Sequence, residues 1–244
     1  MHGRQNVLTF VSIERFCRST YGKVASFMKS LGNRLELVSA LIHTYGPFAC
    51  LADIGSDHAF VAVRAMQNKD AAICVASDIN EGPLSRGKET AARYGVSPHF
   101  VLSDGFDRLG EFSFDCACIC GMGGELITDI LHRYGKHPDC LLLLQPMTAQ
   151  DDLRAFLWEN GYEITAEHYV CERNKPYVVL CVRYTGKNTA YTYPDLFLGK
   201  FRPDTAEYRA YKAKVHAQAQ KRRRGLVAKG EDTSCEDELI RYSE

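Results

Sequence analysis

Six consecutive residues, Asp53-Ile54-Gly55-Ser56-Asp57-His58, place a glycine among two carboxylates, a hydroxyl and an imidazole. They follow an apolar run and precede a helical pattern. At such a junction glycine lets the backbone approach a ligand closely, and the first N–H groups of the helix are available as donors. The glycine spacing of a pyrophosphate loop is missing, because Ser56-Asp57-His58-Ala59 stands where further glycines would be. An anionic Asp57 near a helix start opposes a pyrophosphate but suits a cation. The loop therefore favours a cofactor carrying an ammonium and a sulfonium, S-adenosylmethionine, over NAD. The same residues also read as a capped turn, with Ser56 or Asp57 as N-cap.

Further candidates recur at the ends of the following apolar runs. Asp78, with Ile79 beside it, closes the second run, where nucleotide-binding sheets place an acid for ribose hydroxyls. Ser103-Asp104-Gly105 closes the third; Asp104 can accept from an adenine amino group, and Gly105 lets the loop pass close to the ring. A plain Asp-Gly turn is the other reading. Gly121-Met122-Gly123-Gly124 follows the fourth run and is the candidate methyl-transfer cleft, with no general base assigned. Its other reading is a flexible turn. Gln145-Pro146 closes the fifth run and is placed to line the same cleft, whereas Tyr177, opposite on the hairpin, reads as core ahead of a functional role.

The elements that must position these residues are legible as an alternation. Apolar runs at 50–54, 72–77, 99–102, 114–120 and 140–145 are separated by helical patterns at 58–67, 81–94, 124–132 and 149–159. Near-continuous apolar strands between amphipathic helices predict a parallel sheet covered on both faces. Such sheets bind ligands at the carboxyl ends of their strands, where all three acids fall. Segments 163–171 and 177–184 have no helix between them, so they predict a terminal antiparallel hairpin. The fold class expected is α/β, a Rossmann-like methyltransferase sheet with a helical C-terminal extension. The expected division is an N-terminal extension over 1–27, a cofactor-binding domain over 28–186 and a basic extension over 187–244.

Bulk properties exclude several classes. The 244 residues are 45% hydrophobic and 25% charged, with a formal net charge of zero, so bulk electrostatics make no polyanion binder. No run approaches the roughly 18 apolar residues of a membrane span, and 7–13 lacks the features of a signal peptide, which predicts a cytoplasmic protein away from membranes. The ten cysteines include no C-x-x-C pair and sit largely in apolar runs. They read as buried thiols, with no metal site expected. Nothing sets the oligomeric state, and a monomer is compatible with the sequence.

The charge is uneven, however. Residues 200–224 hold nine basic against two acidic residues, in a segment that predicts a helix starting at Pro203 and ending near 225. Lys212, Lys214, Lys221, Arg222, Arg223 and Arg224 are the candidate RNA phosphate contacts. A solvated basic face is the alternative. Residues 188–193 read as a linker, and the acidic tail beyond Glu231 as frayed.

Taken together, DIGSDHA at 53–59, SDGF at 103–106, GMGG at 121–124 and LLQP at 143–146 resemble the bacterial tRNA (adenine(22)-N1)-methyltransferase family, from about Arg34 through the hairpin. The basic helix is similar to that family's tRNA-binding extension. The resemblance implies transfer of a methyl group from S-adenosyl-L-methionine to N1 of an unpaired adenine in tRNA. A same-fold enzyme acting on another base or metabolite, an RNA-binding protein with a vestigial pocket, and an NAD-dependent oxidoreductase remain the alternatives.

Overall fold

Strands that are apolar on both faces require cover on both, and the chain supplies it in alternation. The structure, a computed structural model, describes residues 31–244 apart from 136 and 138; the expectation for 1–27 lies outside the described residues. In chain order the elements are α1 (Asn33–Tyr45), β1 (Phe48–Ile54), α2 (Phe60–Asn68), β2 (Ala71–Asp78), α3 (Glu81–Arg93) and β3 (His99–Leu102). There follow β4 (Cys116–Met122), α4 (Gly124–Tyr134), β5 (Leu141–Pro146), α5 (Gln150–Glu159), β6 (Tyr162–Glu172) and β7 (Lys175–Tyr184). The C-terminal part is helical: α6 (Tyr193–Leu198), α7 (Ala206–Lys229) and α8 (Ser234–Ser243).

The seven strands form one sheet in the order β3-β2-β1-β4-β5-β7-β6. β1 to β5 pair in parallel and β7 pairs antiparallel with both β5 and β6. The chain winds outward from β1 to β3 and then returns to lay β4 on the other side of β1. That reversal opens a crevice at the carboxyl ends of β1 and β4. One core lies on the face of α1 and α2, around Leu41, Leu51, Val63 and Leu143. The other lies on the face of α4 and α5, around Ile119, Ile127, Leu153 and Trp158.

Four expectations change. The hairpin connection is a two-residue turn, Arg173-Asn174, with φ of 49° and 61°; two consecutive left-handed residues follow the right-handed twist of the flanking strands. The segment read as a linker runs into α6, which starts with a capping box between Thr192 and Asp195. α7 begins at Ala206, capped by Thr205, and continues to Lys229. The acidic tail is not frayed: α8 packs on α7 with Leu239 fully buried, and its acids meet the arginines of α7.

The extension is tied to the sheet by a buried ion pair. Arg154 Nε donates to Glu167 Oε1 at 2.8 Å, with both side chains fully buried. Arg154 Nη1 donates to the Leu196 carbonyl at 2.8 Å, and the Phe201 N–H donates to Glu167 Oε2 at 3.2 Å. Charges so placed are tolerated only while both partners remain, so α5, β6 and α6 hold one another.

Candidate active site

The loop after β1 folds around Asp53. This residue ends an apolar strand and is only 5% exposed, so its carboxylate needs donors. Ser56 Oγ supplies one at 2.6 Å, and the Ala62 N–H, in the first turn of α2, supplies another. Burial nevertheless dominates and pushes the carboxyl up to about 6, with both hydrogen bonds opposing it. The helix therefore takes its cap from the strand: Ala59 occupies the N-cap without a side-chain bond, and neither Ser56 nor Asp57 caps it. Asp57 turns outward and accepts from Arg86 Nε and Nη2 at 3.1 and 2.7 Å. His58, at φ 66°, stacks on Phe60 with ring centroids 5.2 Å apart.

Gly55 is constrained by packing as well. A Cβ there would lie 1.9 Å from Met122 Cε, and φ is +69°. Met122, from the end of β4, lies across the loop, so two of the candidate segments are in direct contact.

The neighbouring strand ends carry the other acids to the same edge. The Ser103 N–H donates to the Asp78 carbonyl at 2.9 Å, which sets the third loop beside the second. Asp78 Oδ1 accepts from the Asn80 N–H at 2.8 Å. Ile79 next to it is 62% exposed, a large apolar side chain left open beside an acid. Asp104 is half-exposed and accepts from Arg133 Nη2 at 3.0 Å, while Arg133 Nη1 holds Asp107 at 2.6 Å. Ser103 is buried, and its Oγ donates to the Gly105 carbonyl and accepts from the Arg108 N–H, both at 3.0 Å. A Cβ on Gly105 would meet Ile130 of α4 at 3.0 Å. Ser103 and Gly105 thus shape the loop that presents Asp104.

The four residues of the GMGG segment separate into distinct roles. Gly121 and Met122 belong to β4, at a register shift against β5, and Gly124 starts α4. A Cβ on Gly124 would lie 2.1 Å from the Ala149 carbonyl oxygen, and one on Gly123 would lie 3.1 Å from Thr148 Oγ1. These two glycines let the loops after β4 and β5 close on each other. Gly121, at φ +81°, has nothing within 4 Å of its would-be Cβ, so it opens on the crevice. Gln145, fully buried, accepts from the Gly121 N–H at 3.2 Å.

The edge as a whole offers a buried carboxylate, two more acids at adjacent strand ends, an exposed isoleucine and an open glycine. That set fits a ligand with a cationic end and a nucleoside end. It fits a pyrophosphate poorly, since among the described residues the cation paired with the loop is Arg86, which Asp57 engages.

The basic helix is less free than its sequence. Arg222 Nε and Nη2 donate to Glu236 at 2.8 and 3.2 Å, and its guanidinium lies 4.6 Å from the Phe197 ring centroid. Arg223 is paired with Asp237. Those two charges hold α8 to α7. Lys212, Lys214, Lys221 and Arg224 form no ion pair among the described residues. Burial, and then the charge of Lys175, lowers the Lys214 pKa. Lys214, Lys221 and Arg222 line a groove of about 510 Å³ together with Met147 and Asp151. The Met147 N–H donates to the Met122 carbonyl at 2.8 Å, which ties one residue of the groove lining to the end of β4.

Sequence reasoning overlooked Arg34 and Glu172, 138 residues apart and joined by Arg34 Nε to Glu172 Oε1 at 3.0 Å. One signal was available: an arginine in the first turn of a helix opposes the helix dipole and requires a partner.

Residues 51–230 match the sequence profile of a family described as tRNA (adenine(22)-N(1))-methyltransferase. A tRNA (adenine(22)-N(1))-methyltransferase of Bacillus subtilis is 32% identical over 168 residues, spanning 66% of this chain and 68% of that protein. A candidate tRNA methyltransferase of Mycoplasma pneumoniae is 35% identical over 172 residues, 68% of this chain and 78% of that one. A Streptococcus pneumoniae candidate tRNA (m1A22) methyltransferase, solved in complex with S-adenosyl-L-methionine, superposes with a TM-score of 0.72 at 27% identity, covering 87% of this chain and 100% of that one.

Proposed function

The chain belongs to the tRNA (adenine(22)-N(1))-methyltransferase family, and on that footing we propose that it methylates N1 of adenine 22 in tRNA, using S-adenosyl-L-methionine. The observation that carries this reading is the single edge on which Asp53, Asp78, Asp104 and the open Gly121 lie together. Asp53, Gly55, Ser56, Asp57 and His58 would hold the cationic methionine end. Asp78 and Ile79 would take the ribose and one face of the purine, and the loop from Ser103 to Gly105 would offer Asp104 to the purine amino group. The bound cofactor supplies an electrophilic methyl on its sulfonium.

What the chain must then do is position. N1 of adenine is unprotonated at neutral pH and nucleophilic, so no side chain need remove a proton before attack. The crevice beside Gly121 and Met122 would hold N1 in line and exclude water, a contribution that needs no general base. Methylation leaves the purine cationic, and the acids of this edge favour that charge. Since N1 lies on the pairing edge, the adenine must be unpaired or extruded.

The division into a cofactor-binding domain over 28–186 and a basic extension over 187–244 follows the same reading. Lys212, Lys214, Lys221 and Arg224 would meet tRNA phosphates, with the groove at Met147 leading the strand toward the crevice. Among the described residues no helix is long and apolar enough to cross a membrane, and we place the reaction in the cytoplasm, where tRNA is. Transfer of labelled methyl from S-adenosyl-L-methionine to unmodified tRNA tests the proposal. Label in tRNA is the expected result; label reaching only proteins or small molecules overturns it.

A further inference from the structure

Beside Gly121 stands a polar cluster for which the proposed chemistry has not yet found a use. Gln145 Oε1 accepts from both the Gly121 N–H, at 3.2 Å, and Arg34 Nη1, at 3.1 Å. Its Nε2 donates to the Pro146 carbonyl at 3.2 Å, so the amide cannot rotate without losing every partner. Arg34 is itself fixed: Nε donates to Glu172 Oε1 at 3.0 Å, and its backbone N–H donates to Glu172 Oε2 at 3.2 Å. Burial alone would raise the Glu172 pKa, but the hydrogen bonds and charge of Arg34 outweigh it and hold the carboxyl below its ordinary value. The guanidinium carbon then stands 5.0 Å from the centroid of the Tyr177 ring.

Tyr177 is in the right place to matter. β7 runs antiparallel to β5 with Leu144 opposite Leu180, so Tyr177 falls level with Met147, past the end of β5. Met147 in turn is bonded to Met122. The ring is half-buried, and its hydroxyl has no hydrogen-bond partner among the described residues. An aromatic side chain with a cation against it, at a strand end beside an open glycine, offers what an extruded base requires. Base–aromatic stacking is sequence-tolerant and substantial, and a cation near the ring adds to it.

We propose that Tyr177 is the surface on which the target adenine is set beside Gly121, and that Arg34 is the positioning residue that locks both. Tyr177 touches the base; Arg34 touches Tyr177 and Gln145, and through Gln145 orients the Gly121 peptide. The inference rests on the methyl-transfer reading and names the base subsite of that same crevice. It explains why an arginine is kept in the first turn of α1 against the helix dipole. It also explains why the β6–β7 hairpin, which carries both Glu172 and Tyr177, reaches past the parallel strands.

The test uses the full chain with tRNA transcript and S-adenosyl-L-methionine, comparing Tyr177→Phe, Tyr177→Leu, Arg34→Lys and Arg34→Met. Each variant is assayed for kcat, KM for tRNA, calorimetric affinity for S-adenosylhomocysteine, and Tm. Losing one stacked base lowers kcat/KM about 5- to 150-fold, so Tyr177→Leu should fall in that range while Tyr177→Phe, which keeps the ring, loses less. Arg34→Lys keeps the charge without the fork and should lose less than Arg34→Met. Cofactor affinity should hold within about twofold throughout, which a merely structural role would not predict for variants that lower Tm. A transcript carrying 2-aminopurine at the target position adds a direct signature, because its fluorescence should rise when the ring is removed. If Tyr177→Leu does not stay folded, Arg34→Met decides by the same kcat and cofactor readouts. Tyr177→Leu or Arg34→Met with wild-type kcat/KM overturns the inference. Wild-type protein that leaves tRNA unmethylated would instead sink the function on which it rests.

Discussion

Asp53 makes the cofactor site sensitive to pH in a range where an ordinary aspartate would not. Its carboxyl is pushed up to about 6 by burial, and protonation removes the charge proposed to face the cofactor ammonium. If only the carboxylate form binds, affinity falls about elevenfold between pH 8 and pH 5; an unperturbed aspartate near 3.9 would change it by about a tenth. The loss is not unfolding by this group. A folded pKa above the unfolded one means that Asp53 favours the fold below about pH 4 and loses that contribution as pH rises through 6. His168 has the opposite sign: burial pushes it down to about 4, so stability it carries above about pH 6.5 is lost as pH falls toward 4. Circular dichroism at each pH keeps the folded fraction in view. The assay is calorimetric titration with S-adenosylhomocysteine from pH 8 to 5, on wild type and Asp53→Asn. Wild type should show the slope, and Asp53→Asn should bind weakly with none. A flat wild-type profile, or a slope that survives in Asp53→Asn, refutes the reasoning.

Three other perturbations separate roles that the sequence merges. Gly124→Ala puts a Cβ 2.1 Å from the Ala149 carbonyl oxygen and should cost about 1–3 kcal/mol, or about 2–12 °C in Tm. Gly121→Ala meets no neighbour and carries only its positive-φ strain of about 1–2 kcal/mol, so it should lose turnover out of proportion to the smaller Tm change. Changing Lys212, Lys214, Lys221 and Arg224 to Gln should reduce the salt dependence of tRNA binding by about 3–4 in log–log slope, whereas Arg222→Gln and Arg223→Gln should act mainly on Tm. Glu167→Gln leaves the buried Arg154 charge uncompensated and should cost about 3–5 kcal/mol, read as a melting point lower by about 6–20 °C.

The strands and the acids at their ends were legible because both are local. An apolar run buried on two faces cannot hide its ends, so Asp53, Asp78 and Asp104 could be placed on one edge before any contact was known. What could not be read were pairings across distance. Nothing near Glu167 announces that it neutralises Arg154, and nothing in 231–244 announces that Glu236 and Asp237 neutralise Arg222 and Arg223. The tail looked frayed because its partner face on α7 is what orders it. The alternative reading of Ser56 or Asp57 as an N-cap fails, because Asp53 reaches the first turn of α2 from the strand. Gly55 and Gly105 read as room for a ligand, and contacts across distance add a second constraint, since a Cβ at either would meet Met122 or Ile130. Of the GMGG segment, only Gly121 faces open space. The basic helix was recognised from charge counting, which cannot distinguish a cation facing solvent from one already paired.

The central claim is that this edge directs methyl transfer to N1 of one adenine in tRNA. N1 methylation blocks the pairing edge, so it stops reverse transcription, whereas a methyl on the exocyclic amino group leaves pairing possible. The most direct measurement is nucleoside mass spectrometry on treated tRNA transcript, with primer extension to locate the site and a transcript substituted at adenine 22 as its partner. The account predicts 1-methyladenosine, a stop at position 22 and neither in the substituted transcript. N6-methyladenosine, or a product that survives the substitution, would contradict it.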